Sequence, residues 1–144
     1  MATEVRIHGS CVARDGAGVL IVGPSGTGKS DLALRLLGQG FVLVADDQVE
    51  VVDGFARAPD ALAGMLEVRG LGIVRLPYMS DVKLKIVVRL VAQSERLPRP
   101  ERHDALNLPL VRLHAASASA PDRVALALDC ALGIVTQHAG AFAA

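Results

Sequence analysis

The chain has 144 residues, with 15 basic and 15 acidic side chains and so no formal net charge. That balance speaks against a dedicated nucleic-acid or anionic-membrane binder, which would carry a basic stripe. The length suits one compact domain, and an apolar share of 51% excludes disorder as the dominant state.

Residues 7–14 and 17–22 are β-like runs separated by Asp15-Gly16, a two-residue hairpin signal. The glycine-rich stretch 23–28 follows, and then an amphipathic helix over 29–37. Leu32, Ala33, Leu36 and Leu37 form its apolar face, and Gly38 or Gly40 stops it. The almost wholly apolar run 41–45 predicts a strand buried on both faces, ending in the doublet Asp46-Asp47. Strand character continues over 48–52 until Asp53-Gly54 marks another turn. Residues 59–65 read as a weak helix or loop. In 66–74 the close pair Gly70 and Gly72 suggests a backbone bend near a ligand or partner. The clearest later strand covers 82–92. Residues 93–107 are polar and charged and read as a mobile surface segment. A last strand is expected at 108–113 and a closing helix at 122–137, with Pro121 near its start.

Cys11 and Cys130 lie far apart and share no metal-like spacing with the four histidines, so a reducing cytoplasm is the default expectation. The first residues carry no apolar h-region, and no apolar stretch approaches the ~18 residues needed to span a bilayer. A soluble protein without a membrane partner is expected.

The chemistry concentrates in two places. Gly23-Pro24-Ser25-Gly26-Thr27-Gly28-Lys29-Ser30 satisfies the Walker A pattern, between an apolar strand and an amphipathic helix. Glycines there let successive N–H groups turn around phosphate oxygens, and the helix N-terminus adds partial positive charge. Lys29 would hold the β/γ-phosphates of ATP, and Ser30 would offer its hydroxyl oxygen to Mg²⁺. Asp31 follows in the first helical turn. The bland alternative is a glycine-rich turn capped by Ser30. The second place is Asp46-Asp47, at the end of a buried strand. Alternation lets at most one of the two normally face the phosphate loop. A carboxylate here can bind Mg²⁺, directly or through water, or take a proton from an incoming hydroxyl.

With His8-Gly9, the loop 23–30, Leu43-Val44-Ala45-Asp46-Asp47 and Leu66-Glu67-Val68-Arg69-Gly70-Leu71-Gly72-Ile73 in this order, residues 5–97 resemble the catalytic domain of the HPr kinase/phosphorylase family. The resemblance implies an α/β fold, a P-loop-containing, phosphoenolpyruvate-carboxykinase-like mixed sheet with flanking helices. It implies ATP-dependent phosphorylation of a serine on the phosphocarrier protein HPr, and a hexameric homo-oligomer. By position, Asp47 becomes the acid/base residue and Glu67 a second Mg²⁺ ligand beside Ser30. Arg69, Gly70, Leu71 and Gly72 would shape the surface that meets the protein substrate. His8 and Arg96 match active-site residues of the family.

Two departures accompany the resemblance. The family usually has an additional N-terminal domain, whereas here the motifs begin near residue 5, which suggests one catalytic domain over 1–144, as in truncated alphaproteobacterial forms. Towards the C-terminus the arginine segment linked to dephosphorylation is replaced by the alanine- and serine-rich stretch 115–121, and the family's C-terminal helix is reduced to a shortened remnant at 122–137. These losses speak against phosphorylase activity and leave the kinase activity as the expectation. Two rival readings stand beside this one. A small-metabolite kinase could use Arg96, Arg99 and Arg102 as a lid over ATP, and a nucleotide-sensing module would bind ATP without transferring phosphate.

Overall fold

The computed structural model describes residues 4–143. Strands β1 (Glu4–His8), β2 (Ser10–Arg14) and β3 (Ala17–Val22) open the chain, and helix α1 (Lys29–Leu37) follows. The turn between β2 and β3 is the expected two-residue one. Asp15 and Gly16 have φ of 52° and 78°, the doubly positive pair that matches the twist of a tight hairpin. Strands β4 (Val42–Ala45), β5 (Gln48–Val52) and β6 (Phe55–Arg57) come next, then a 3₁₀ turn at Asp60–Leu62. The hairpin β7 (Met65–Val68) and β8 (Gly72–Arg75) stands as its own two-stranded sheet. Strands β9 (Val82–Leu90) and β10 (Leu110–Leu113) and helix α2 (Ala120–Ala131) complete the described chain.

The main sheet runs β1-β5-β6-β9-β3-β2-β4, with β10 also paired to β9. Strands β3, β9 and β10 are mutually parallel, and the other pairings are antiparallel. This is the mixed sheet with flanking helices that the sequence led us to expect. Because the β3–β9 pair is parallel, the chain leaves both strands on the same side of the sheet, where a ligand crevice forms in such folds.

One face of the sheet carries both helices. Leu32, Ala33 and Leu36 of α1 and Val124 and Leu128 of α2 pack with Val19, Ile21, Ile86 and Val88. Burial of each large aliphatic side chain there is worth about 1.5–3 kcal/mol. The opposite face is covered by the sheet itself. Val44, Val49, Val51 and Ala56 of β4–β6 meet Cys11, Leu20, Leu84 and Val87, so the sheet curls over its own second core. Helix α2 is shorter at its C-terminus than the pattern suggested. It ends at Ala131 because Leu132 caps it and Gly133 follows with φ of 75°.

Three further boundaries differ from expectation. The run 7–14 is two strands, because Gly9 leaves the pairing with β5 as Ser10 enters pairing with β3. Strand β6 was not foreseen: three residues are too short for a period to show. The predicted bend in 66–74 is a hairpin turn, closed by the Leu71 N–H donating to the Val68 carbonyl at 3.0 Å. Among the described residues no helix is long and apolar enough to cross a membrane.

Candidate active site

A cleft of about 530 Å³ opens where the 23–30 loop, the β4–β5 turn and the β7–β8 hairpin converge. Its walls include Ser25, Gly26, Gly28, Lys29, Ser30 and Asp31 from the loop and α1, Asp46 and Asp47 from the turn, and Glu67 and Arg69 from the hairpin. His8 and Ser10 reach it from the strands on either side of Gly9.

The loop is held by its own groups. The Thr27 hydroxyl donates to the Pro24 carbonyl at 2.6 Å, and the Thr27 N–H donates to the same oxygen at 3.3 Å. The Lys29 ammonium is buried and donates to the carbonyls of Gly23 at 2.8 Å and Pro24 at 3.0 Å. Gly23, Pro24 and Thr27 thus shape the loop and seat Lys29, while the other loop residues face the cleft. No side chain caps α1, so its first N–H groups end at the cleft wall. A helix start of this kind attracts anions.

The two aspartates do different things. Asp46 is buried, and its Oδ1 accepts from the Ser10 hydroxyl at 2.7 Å and the Ser30 hydroxyl at 2.8 Å. Its Oδ2 accepts from the Glu67 N–H at 3.3 Å. Asp47 is exposed and lies 3.5 Å from His8 Nδ1 through Oδ1. Strict strand alternation would send the two carboxylates to opposite faces. Instead Asp47 has φ of 71°, the left-handed conformation that Asp tolerates better than most residues, and both carboxylates line the cleft. The expectation that at most one of the two would face the loop therefore fails at the left-handed Asp47, although only Asp46 bonds the loop helix directly.

Glu67 and Arg69 line the cleft, while Gly70 and Leu71 form the exposed hairpin tip and Gly72 begins β8. Arg96 lies exposed on the long segment between β9 and β10, outside the cleft lining. Arg102 is occupied elsewhere: its guanidinium donates to Asn107 Oδ1 at 2.9 Å and to the Asn107 carbonyl at 2.7 Å. Sequence reasoning missed Ser10 altogether. Its one signal was a polar side chain just after Gly9, at the head of the apolar run 11–13.

Four carboxylates, from Asp31, Asp46, Asp47 and Glu67, face this cleft against the fixed cations Lys29 and Arg69. An anionic ligand would be poorly matched to that balance unless it brought a cation with it. Among the described residues no three His, Cys, Asp or Glu side chains gather closely enough to hold an ion by themselves. Mg²⁺ seldom needs such a cage, since it takes one or two protein oxygens with phosphate and water for the rest. The Ser30 hydroxyl beside the Asp46 carboxylate, with Glu67 at the same wall, fits that requirement.

The fold and the cleft define a mixed α/β protein in which a glycine-rich strand-to-helix loop faces a pair of carboxylates. Comparison with known proteins makes this specific: the chain belongs to the family of the HPr Serine kinase C-terminal domain, whose profile matches residues 1–111. It is 42% identical over 115 residues to the HPr kinase/phosphorylase of Clostridium novyi (strain NT), covering 75% of this chain and 38% of that protein. It is 41% identical over 128 residues to the HPr kinase/phosphorylase of Cupriavidus metallidurans, covering 76% of this chain and 39% of that protein. The chain therefore spans about two fifths of the length of the curated relatives it matches. The fold resembles the structure of the Hpr(Ser) kinase/phosphatase from Coxiella burnetii, with a TM-score of 0.72 and 22% identity over 90% of this chain and 92% of that one.

Proposed function

We propose that this chain is an ATP-dependent protein kinase unit that transfers the γ-phosphoryl group to a serine hydroxyl of HPr. One observation carries the reading. Lys29 with Ser30 and Asp47 with Asp46 come from separate elements and face one cleft, in a chain that belongs to the HPr kinase family.

Each residue has a task that its position suits. The loop N–H groups, the start of α1 and Lys29 would bind the phosphates. Phosphoryl transfer asks mainly for such positioning and charge neutralisation. Mg²⁺, when bound, would neutralise charge on the transferring group, with Ser30 and Glu67 as its protein oxygens. Asp47, exposed at the cleft, is placed to accept the hydroxyl proton as the serine oxygen bonds to phosphorus. The bond from phosphorus to the bridging oxygen breaks, ADP leaves, and the proton resides on Asp47. His8 beside it would orient that carboxylate. Arg69 and the hairpin tip would meet the protein substrate.

The relatives from Clostridium novyi and Cupriavidus metallidurans are named for a phosphorylase activity as well, the reverse use of the same site. We assign the kinase direction, because the arginine segment that the resemblance links to dephosphorylation is replaced here by the stretch 115–121. A small-metabolite kinase with an arginine lid is not favoured: Arg96, Arg99 and Arg102 all lie outside the cleft lining, and Arg102 is bonded to its own segment.

The decisive experiment incubates the protein with HPr, ATP and Mg²⁺ and maps the modified peptide. Label on a serine is the expected result. Label on histidine, or none, overturns the reading.

A further inference from the structure

The Asp46 carboxylate is gripped by three donors from three elements: Ser10 of β2, Ser30 of α1 and the Glu67 N–H of β7. Two of these belong to the proposed nucleotide machinery, but Ser10 does not. It is 1% exposed and sits where β2 has just left Gly9, in register with Ile21 of β3. Its hydroxyl and that of Ser30 meet on the same oxygen, Asp46 Oδ1.

We propose that Ser10 is a positioning residue for the divalent metal. By holding Asp46 Oδ1 at one point, it fixes the direction of the Ser30 hydroxyl and leaves the Ser30 lone pairs turned to the cleft. This rests on the reading of the cleft as a metal–nucleotide site.

The physical case is one of geometry. A serine that donates its proton to a fixed carboxylate oxygen has only its lone pairs left to offer. The carboxylate can be fixed only if it cannot rotate about its own bond to Cβ. The Glu67 N–H restrains Oδ2 at 3.3 Å, a long contact, and Ser10 restrains Oδ1 at 2.7 Å. Without Ser10 only the long Glu67 contact and Ser30 itself hold the carboxylate, and Ser30 loses the fixed oxygen that orders its hydroxyl. Partners that orient metal ligands from behind typically account for 10–100-fold in metal affinity.

The test measures Mn²⁺ affinity in the presence of a non-hydrolysable ATP analogue, by the electron paramagnetic resonance of free Mn²⁺, alongside binding of the analogue in chelator. Ser10→Ala should weaken Mn²⁺ binding about 10–100-fold. Metal-free binding of the analogue should stay within about twofold, since Lys29 and the loop are untouched. Ser10→Thr, which keeps the hydroxyl, should restore most of the lost metal affinity. If Ser10→Ala fails to fold, Ser10→Cys, a poor donor of similar size, takes its place and should behave as Ala was expected to. Mn²⁺ affinity that is unchanged in the variant overturns the proposal, as does equal loss with and without metal, which would mark a merely structural serine. A wild-type protein that binds neither the analogue nor Mn²⁺ overturns the reading of the cleft itself, a failure distinct from that of Ser10.

Discussion

The Gly9 N–H donates to the Asp47 carbonyl at 3.1 Å, and this bond joins the two places where the sheet changes partners. On one side, His8 ends the pairing of β1 with β5 and Ser10 begins the pairing of β2 with β3. On the other, Ala45 ends β4 and Gln48 begins β5. The side chains flanking the bond then pair across the crossing: Ser10 with Asp46, and His8 with Asp47. The site is thus built on a junction of the sheet, and the left-handed turn at Asp47 aims both carboxylates into one cleft.

Replacement of Asp47 should separate binding from transfer. A positioned acid/base group contributes about 10²–10⁴-fold to rate. We expect Asp47→Asn to lower kcat for HPr phosphorylation by that order while ATP affinity stays near wild type. Asn accepts the left-handed conformation, so the fold is undisturbed. Steady-state kinetics with labelled ATP check this, and wild-type turnover in the variant would remove Asp47 from the mechanism.

A methyl group at Gly9 should damage the junction. A Cβ there would lie 2.5 Å from the Ile21 carbonyl oxygen, a backbone atom that cannot step aside. Forcing extra volume into a packed site costs about 1–3 kcal/mol, so Gly9→Ala should lower stability by that amount in a urea titration. A midpoint equal to wild type would mean that β2 can move off β3 without cost.

Thiol chemistry should distinguish the two cysteines. Burial pushes the Cys11 thiol far above its ordinary range, and the side chain is fully enclosed. Thiolate is the reactive form, so native protein at pH 8 should take up one equivalent of iodoacetamide, at half-buried Cys130. In urea both cysteines should react. Modification of Cys11 in the native state, read by peptide mass, would show that the second core opens readily.

Acid should loosen the segment between β9 and β10 through His103. Burial, then the nearby Arg89, hold this imidazole below its ordinary pKa, with Asp104 opposing. Its Nδ1 accepts the Leu106 N–H at 3.1 Å, which only the deprotonated nitrogen can do. A histidine whose folded pKa is depressed binds protons more readily when unfolded, so stability is full above about pH 6.5 and falls as the pH drops below it. His103→Asn keeps an acceptor but does not titrate. It should lose less melting temperature than wild type between pH 7 and pH 5.5, and equal losses would exclude His103 as a cause.

Much of this was legible in the residues because it is local. The Asp15-Gly16 turn, the amphipathic 29–37 helix and the strand-to-helix loop before it need only their own neighbours, and the structure has them at those positions. Lys29, Ser30, Asp47 and Glu67, singled out from three separate stretches of sequence, line one cleft. The role of Asp46 was less visible, because its partners Ser10 and Ser30 lie 36 and 16 residues away in sequence. The place of Arg96 was not legible at all, since a charged segment carries no period that would show which way it faces.

Taken alone, the order of residues determined the local elements, the anion-attracting loop and the family resemblance. Each of these depends on short-range backbone preferences and on side-chain spacing along the chain. Only the tertiary structure decided which carboxylate turns inward to the hydroxyls and which outward to His8. That choice depends on where Gly9 lets two strand pairs exchange partners, and register between distant strands is settled by packing rather than by any local pattern.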